Sequence, residues 1–136
     1  MISQKYKFNH ASLKSIKNYW INNPCEEWFF GPGIKCKNIN QIDLKKYKIN
    51  SFMRYSSEPE VMKFINFKSL KDLNVLELGY GLGSDAVLIA KSAKKYTGID
   101  LSETSYDVTN RRLKLYGLKN TKLTVGSCTS LNFKEK

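Results

Sequence analysis

Residues Asn74 to Asp85 read Asn-Val-Leu-Glu-Leu-Gly-Tyr-Gly-Leu-Gly-Ser-Asp, and few folds accommodate such a run. A short apolar segment, Val75, Leu76 and Leu78, breaks into three alternating glycines, Gly79, Gly81 and Gly83, and an almost wholly apolar run follows from Ala86 to Ala90. The pattern predicts a buried strand, a tight turn and the start of a helix. Glycine can take positive φ and lets a ligand approach the main chain, at a conformational cost that an ordinary surface turn avoids. The turn therefore reads as a nucleotide-type binding loop at the carboxyl end of a strand, where open α/β sheets place their ligands. The dinucleotide fingerprint G-x-G-x-x-G fits poorly, because the third glycine comes one residue early and Ser84 stands where Gly or Ala is expected.

The pattern continues downstream. Ser84 or Asp85 starts a helix with Ala86, Ile89, Ala90 and Ala93 at helical spacing, and Lys95 to Ile99 forms a second strand. Ser102 caps the next helix, with Glu103 and Asp107 near its positive end. Its inner face is expected to carry Tyr106, Thr109, Leu113 and Tyr116, and Gly117 stops it. Thr121 to Val125 gives a third strand. The order β-α-β-α-β calls for a parallel sheet with right-handed crossovers.

The run from Glu77 to Gly83, acidic-x-G-x-G-x-G, resembles motif I of the class I S-adenosylmethionine-dependent methyltransferases. The resemblance extends to Asp100, 17 residues after Gly83, which ends the run Tyr96-Thr-Gly-Ile-Asp and is followed by Leu101 and Ser102. It implies that Gly79, Gly81 and Gly83 lay the methionine part of the cofactor against the backbone, with Tyr80 and Asp85 in the same loop. By the same resemblance Glu77 fixes the loop and the cofactor's amino end, Asp100 holds the ribose and Leu101 packs on the adenine. After the third strand the family commonly has Gly-Asp-Ala; here Gly126 precedes Ser127 and Cys128, so Ser127 would take the adenine amino group in place of a carboxylate, a weaker acceptor. The chain also resembles a bacterial subset of these enzymes in Trp20, Asn23-Pro24-Cys25, Arg54-Tyr55 and Glu58-Pro59. That implies N-terminal helices capping the cofactor and Arg54 reaching its carboxylate.

The first part of the chain, to about Lys71, reads as helical. Ser12 caps a helix with Leu13, Ile16 and Trp20 on one face and Pro24 beyond its end. Trp28-Phe29-Phe30, closed by Gly31-Pro32-Gly33, packs into a core or forms a lid. Asn40 to Tyr55 gives a weaker helical pattern. Glu58-Pro59-Glu60 starts a third helix, whose Val61, Phe64 and Ile65 make an apolar face leading straight into the first strand.

Composition narrows the function less than the motif does. The net charge is +11, but the basic residues are nearly all Lys and are spread along the chain. Abundant Asn and Ile point to a coding bias, so nucleic acid is not the favoured partner. Cys25, Cys36 and Cys128 match no zinc or redox spacing, and with a single histidine, His10, no protein-built metal site is expected. The amino-terminal residues carry no signal-peptide pattern and no run is long enough to span a bilayer, so a cytoplasmic protein is expected.

The expected architecture is an α/β chain: an N-terminal helical cap segment over residues 1–71, then a partial Rossmann-like parallel sheet of about three strands over residues 72–136. A complete sheet of this family places its first strand in the middle. Val75 to Leu78 would then present an unpaired apolar edge, implying a truncated product, a homo-oligomer or a partner chain that completes the sheet. The expected activity is methyl transfer from S-adenosylmethionine to an acceptor, a small molecule favoured over RNA. The alternatives are a non-catalytic cofactor-binding module needing a partner, and a nicotinamide-dependent oxidoreductase.

Overall fold

The computed structural model describes residues 11–131; His10 lies outside them. Three parallel strands, β1 (Asn74–Leu78), β2 (Lys95–Asp100) and β3 (Thr121–Val125), lie side by side with β2 in the centre. The register sets Val75 beside Tyr96 and Leu78 beside Ile99, then Gly98 beside Leu123 and Asp100 beside Val125. Helix α4 (Ser84–Ser92) crosses from β1 to β2 and α5 (Glu103–Leu115) from β2 to β3. This is the Rossmann-like α/β arrangement expected from the sequence.

Alternation along the strands decides what the sheet buries. Val75, Tyr96 and Leu123 point to the helices and pack with Ala86, Val87, Ile89, Ala90, Ala93 and Leu113. On the opposite face Leu76 and Leu78 are 41% and 51% exposed, so β1 is not the buried strand its apolar run suggested: it lies at the sheet edge with one face uncovered. Among the described residues β1 pairs only with β2, so one edge and one face of a parallel sheet stand open.

Ahead of the sheet come α1 (Leu13–Asn22), α2 (Leu44–Ser57) and α3 (Pro59–Phe64). Ser12 caps α1 by accepting from the N–H of Ser15, Asp43 caps α2 through Lys46 N–H, and Ser102 caps α5 through Ser105 N–H. The α2 helix starts later than the periodicity suggested, because 3-10 turns occupy Cys36–Gln41. The aromatic triplet divides. Phe30 is buried edge-on against Tyr47, whereas Trp28 faces outward.

Two expectations fail. The apolar face of α3 is not buried: the helix is only six residues long and Phe64 is 85% exposed. Nor does α3 run into β1. Ile65 turns extended, and a 3-10 turn at Phe67–Leu70 intervenes, setting Phe67 and Leu70 against the core beside α4.

The inner face of α5 also differs. Val108, Thr109 and Arg112 have no exposed surface, and Leu113 has 2%. Arg112 donates through Nη1 to the carbonyl of Leu82 (2.7 Å) and Oδ1 of Asn50 (3.0 Å). Its Nη2 donates to the carbonyl of Tyr47 (2.9 Å) and to Ser51 Oγ. The guanidinium also lies over the Tyr47 ring, 5.0 Å from its centroid. One buried cation thus joins α2, α5 and the end of the glycine loop. Among the described residues no helix is long and apolar enough to cross a membrane.

Candidate cofactor site

The glycine loop leaves β1 at Gly79 and enters α4 at Gly83, and all three glycines have positive φ: 78°, 52° and 78°. Their reasons differ. A Cβ on Gly83 would lie 2.7 Å from the Thr109 side chain, so this glycine lets α4 and α5 approach. A Cβ on Gly79 or Gly81 would meet nothing within 4 Å. Those two turn bare backbone toward open space.

The loop is held from both sides. Gly79 N–H donates to the carbonyl of Ile99 (2.7 Å), and the Thr109 hydroxyl donates to the carbonyl of Gly81 (2.9 Å). Asp100 is clamped at the strand end: Oδ2 accepts from Gly81 N–H and Oδ1 from Ser102 N–H, both at 2.9 Å. Two backbone donors fix the orientation of the carboxylate and leave lone pairs on each oxygen for a ligand.

These residues border a cleft of about 420 Å³. Gly79, Gly81, Asp100 and Leu101 form one wall and Ser127 and Cys128 another, while Leu13, Ile16 and Trp20 of α1 close it from above. The apolar face of α1 is therefore not buried in a protein core; it looks into the cleft. The helix is docked there by the Lys17–Glu103 ion pair and by the Thr104 hydroxyl, which donates to the carbonyl of Ile21 (3.1 Å). Ser127 Oγ hydrogen-bonds Thr129 Oγ1 at 2.7 Å and accepts from Thr129 N–H at 3.2 Å.

A smaller cavity, about 160 Å³, lies across the loop, bordered by Cys25, Glu26, Arg54, Glu77 and residues 79–85. It is rich in carboxylates. Arg54 pairs with Glu26, with Glu58 (3.1 Å) and with Asp85 (2.9 Å). Burial opposes its charge, but Asp85, Glu26 and Glu58 outweigh that and push its pKa up. Asp85 accepts a second bond from the Tyr55 hydroxyl at 2.9 Å. Glu77 accepts from the Tyr96 hydroxyl at 2.6 Å, and burial, only partly offset by that bond, pushes its pKa up to about 7.

The sequence-derived residues accordingly fall into two groups across one loop. Gly79, Gly81, Asp100, Leu101, Ser127 and Cys128 border the larger cleft, and Glu77, Arg54, Gly83 and Asp85 border the smaller. Tyr80 also borders the smaller cavity, but its ring is buried, in the space that a side chain on Gly98 would need, and its hydroxyl donates to the carbonyl of Thr124 at 3.4 Å. Sequence reasoning left Cys25 as an ordinary thiol, passed over Glu26, quoted Tyr55 without giving it a role, and read Thr109 and Tyr96 only as helix-face and strand residues. The Asn-Pro-Cys and Arg-Tyr pairs were the available signal for the first three.

A strand, a glycine turn and a strand-ending carboxylate in parallel order define a nucleotide-cofactor α/β domain. Residues 75–136 match the family described as a methyltransferase domain. Over that segment the chain is similar to methyltransferase domains, in agreement with the resemblance read from the glycine loop. Over 62 residues the chain is 39% identical to an uncharacterized protein of Methanocaldococcus jannaschii, a match covering 46% of this chain and 24% of that protein. The fold resembles magnesium protoporphyrin IX methyltransferase of Synechocystis PCC 6803 with bound S-adenosylmethionine: TM-score 0.60 and 18% identity, over 93% of this chain and 60% of that one. It also resembles a dimethyladenosine transferase from Plasmodium falciparum, with TM-score 0.52 and 25% identity over 57% of this chain and 29% of that one. The chain spans less than two thirds of the length of each of these proteins.

Proposed function

We propose that the chain holds S-adenosylmethionine across the glycine loop and that the protein transfers its methyl group to an acceptor. The observation that carries this reading is the Asp100 carboxylate, fixed by two backbone N–H groups beside the bare backbone of Gly79 and Gly81. A carboxylate so oriented suits a pair of ribose hydroxyls. Leu101 would pack on the adenine, Ser127 would accept its amino group, and Cys128 would line the same wall.

The amino-acid end would lie in the smaller cavity. Its three carboxylates, Glu26, Asp85 and Glu77, outnumber the Arg54 cation and favour an ammonium group. Arg54 would take the ligand's carboxylate by giving up Glu58, its most exposed partner, whose side chain is 57% exposed. Tyr80 and Gly83 would act by shaping the loop. The cofactor supplies a methyl on a sulfonium that leaves without protonation; the chain has only to align it and exclude water.

Calorimetric titration with S-adenosylmethionine and, separately, NAD tests the reading, which fails if a folded chain binds neither or prefers NAD. Asp100→Ala is expected to weaken S-adenosylmethionine binding by about 1.5–3 kcal/mol, the scale of hydrogen bonds to a charged group. Unchanged affinity would remove Asp100 from the site.

Glu77 makes a separate prediction. Its folded pKa lies above its unfolded value, so the native state holds an extra proton between about pH 4.5 and about 7. Its contribution to stability is full below pH 4.5 and is lost as pH rises toward 7, with a slope on the order of 1 kcal/mol per pH unit. Glu77→Gln should flatten that decline in denaturant titrations across the window. Binding of an ammonium beside Glu77 favours the ionised form, so wild-type ligand affinity should rise with pH through about 7, and the variant should lose that rise.

A further inference from the structure

The cleft and the smaller cavity are not the only spaces at this site. A third, of about 760 Å³, opens beside the end of α1, with Pro24 and Ile34 in its wall and the Gly31-Pro32-Gly33 turn along it. Three large aromatic side chains border it and remain open to water: Tyr19, Trp20 and Trp28 are 57%, 42% and 68% exposed. A single exposed ring is ordinary, but three around one opening mark an interaction surface, and aromatic faces favour flat partners. Asn23 borders the same opening. Its amide N–H donates to the carbonyl of Tyr19 at 2.9 Å, which leaves Oδ1 to accept from the amino group of a ring.

The charge around this opening is lopsided. Ahead of Asp43 the sequence holds six lysines and two acidic residues, Glu26 and Glu27. Both acids are engaged. Glu26 adopts a left-handed backbone, φ 65°, rare for a residue with a side chain. Asn50 holds that turn by donating to its carbonyl at 3.1 Å, and the Glu26 carboxylate pairs with Arg54 at the smaller cavity. Glu27 accepts from Lys35 at 2.9 Å and, through its other oxygen, from Cys36 N–H at 2.7 Å. Lys35 nonetheless keeps 68% of its side chain exposed. Lys37 donates to Asn22 Oδ1, on the rim, at 2.9 Å and pairs with no carboxylate among the described residues. Lysines that look spread along the sequence are thus brought, in Lys35 and Lys37, beside three aromatic rings.

We propose that this cavity and its rim bind single-stranded nucleic acid, with bases stacked on Tyr19, Trp20 and Trp28 and phosphates beside Lys35 and Lys37. The inference stands apart from the cofactor reading and adds a macromolecular partner to it. Bases are flat and uncharged and suit the aromatic wall, while the phosphate carried by each nucleotide suits the cations at the rim. Stacking combined with phosphate neutralisation is the general means of holding an unpaired strand. A duplex hides its base faces against one another and offers the rings nothing to stack on. An acidic peptide brings charge without flat rings. Cys25 borders this cavity, the larger cleft and the smaller cavity. A strand seated here therefore runs past the junction of the two spaces assigned to the cofactor.

The sequence contains two tryptophans, Trp20 and Trp28, and both border this cavity. Tryptophan fluorescence therefore reads its occupancy directly. The full chain is titrated with short oligouridylate and oligodeoxythymidylate strands, with a duplex of the same length, and with polyphosphate and polyglutamate as anions without bases, at low and at moderate salt. Saturable quenching by the single strands is expected, about tenfold or more tighter than binding of the duplex or of either base-free polyanion. Trp28→Ala and Tyr19→Ala should each weaken single-strand binding about tenfold or more. Their unfolding midpoints should stay near that of the wild type, because both side chains are exposed. Lys37→Gln should lessen the slope of log affinity against log salt by about 0.7, the value for one phosphate contact on a single strand. Equal binding of the duplex or the polyanions would reduce the interaction to the unspecific attraction of a chain of net charge +11 and overturn the proposal. So would unchanged affinity in both aromatic variants, an unchanged slope in Lys37→Gln, or no quenching at low salt. Titration with S-adenosylmethionine remains a separate readout, since Tyr19 and Trp28 border neither cofactor space.

Discussion

Replacing Arg112 by alanine is expected to destabilise the protein by about 3–5 kcal/mol, the scale for emptying a fully buried large side chain's space and breaking its hydrogen-bond network. The residue has no exposed surface. Its loss strands the carbonyls of Leu82 and Tyr47 and leaves Asn50 and Ser51 without their guanidinium partner. Such unmade bonds cost about 1–3 kcal/mol apiece when buried. Against a typical total of about 5–15 kcal/mol, the change removes a large fraction. Thermal unfolding should show a midpoint lowered by roughly 10 °C or more. Arg112→Lys should recover only part of this, because a single ammonium cannot reproduce the planar fork. A shift of only a degree or two would mean that water replaces the guanidinium at little cost.

The second large effect concerns ligand binding. Gly81→Val should abolish S-adenosylmethionine binding within the range of calorimetry, a loss of at least about 3 kcal/mol, or a hundredfold in affinity. Two causes act together. Gly81 has φ 52°, which a β-branched residue adopts only at a cost of about 1–3 kcal/mol. The new side chain also projects into the space where a Cβ meets no protein atom, which the proposed reading gives to the ligand. Gly83→Val should differ in kind, since its side chain would strike Thr109 and part α4 from α5. Near-normal binding by a folded Gly81→Val protein would show that no ligand rests on that backbone.

Much of the sheet half was legible because its signals are local. Alternating glycines, a strand-ending aspartate, a cap at Ser102 and a stop at Gly117 each act over a few residues, and each element stands where those signals set it. The proposed site residues were legible for the same reason: strand ends and the turn between them converge at one edge of a parallel sheet. Arg112 was not. A helical wheel assigns an arginine to solvent, and its partners Tyr47, Asn50 and Ser51 lie more than 60 residues away in sequence. Phe64 failed in the opposite sense, since spacing puts it on an apolar face but a six-residue helix presents no neighbour to cover it. The left-handed turn at Glu26 carries no propensity signal, being imposed by Asn50 and Arg54 from α2.

The open edge of β1 has a thermodynamic side. Gly79 follows the last residue of β1 directly and takes its backbone bond from Ile99, so the pitch of that strand sets the pitch of the loop. Any polypeptide strand that added itself to the free edge would fix both at once. Reciprocity then requires that a ligand ordering the loop increase the affinity of the edge for that strand by the same factor by which the strand increases the affinity for the ligand. Sheet completion and cofactor loading would be two readouts of one equilibrium, and either could be used to measure the other.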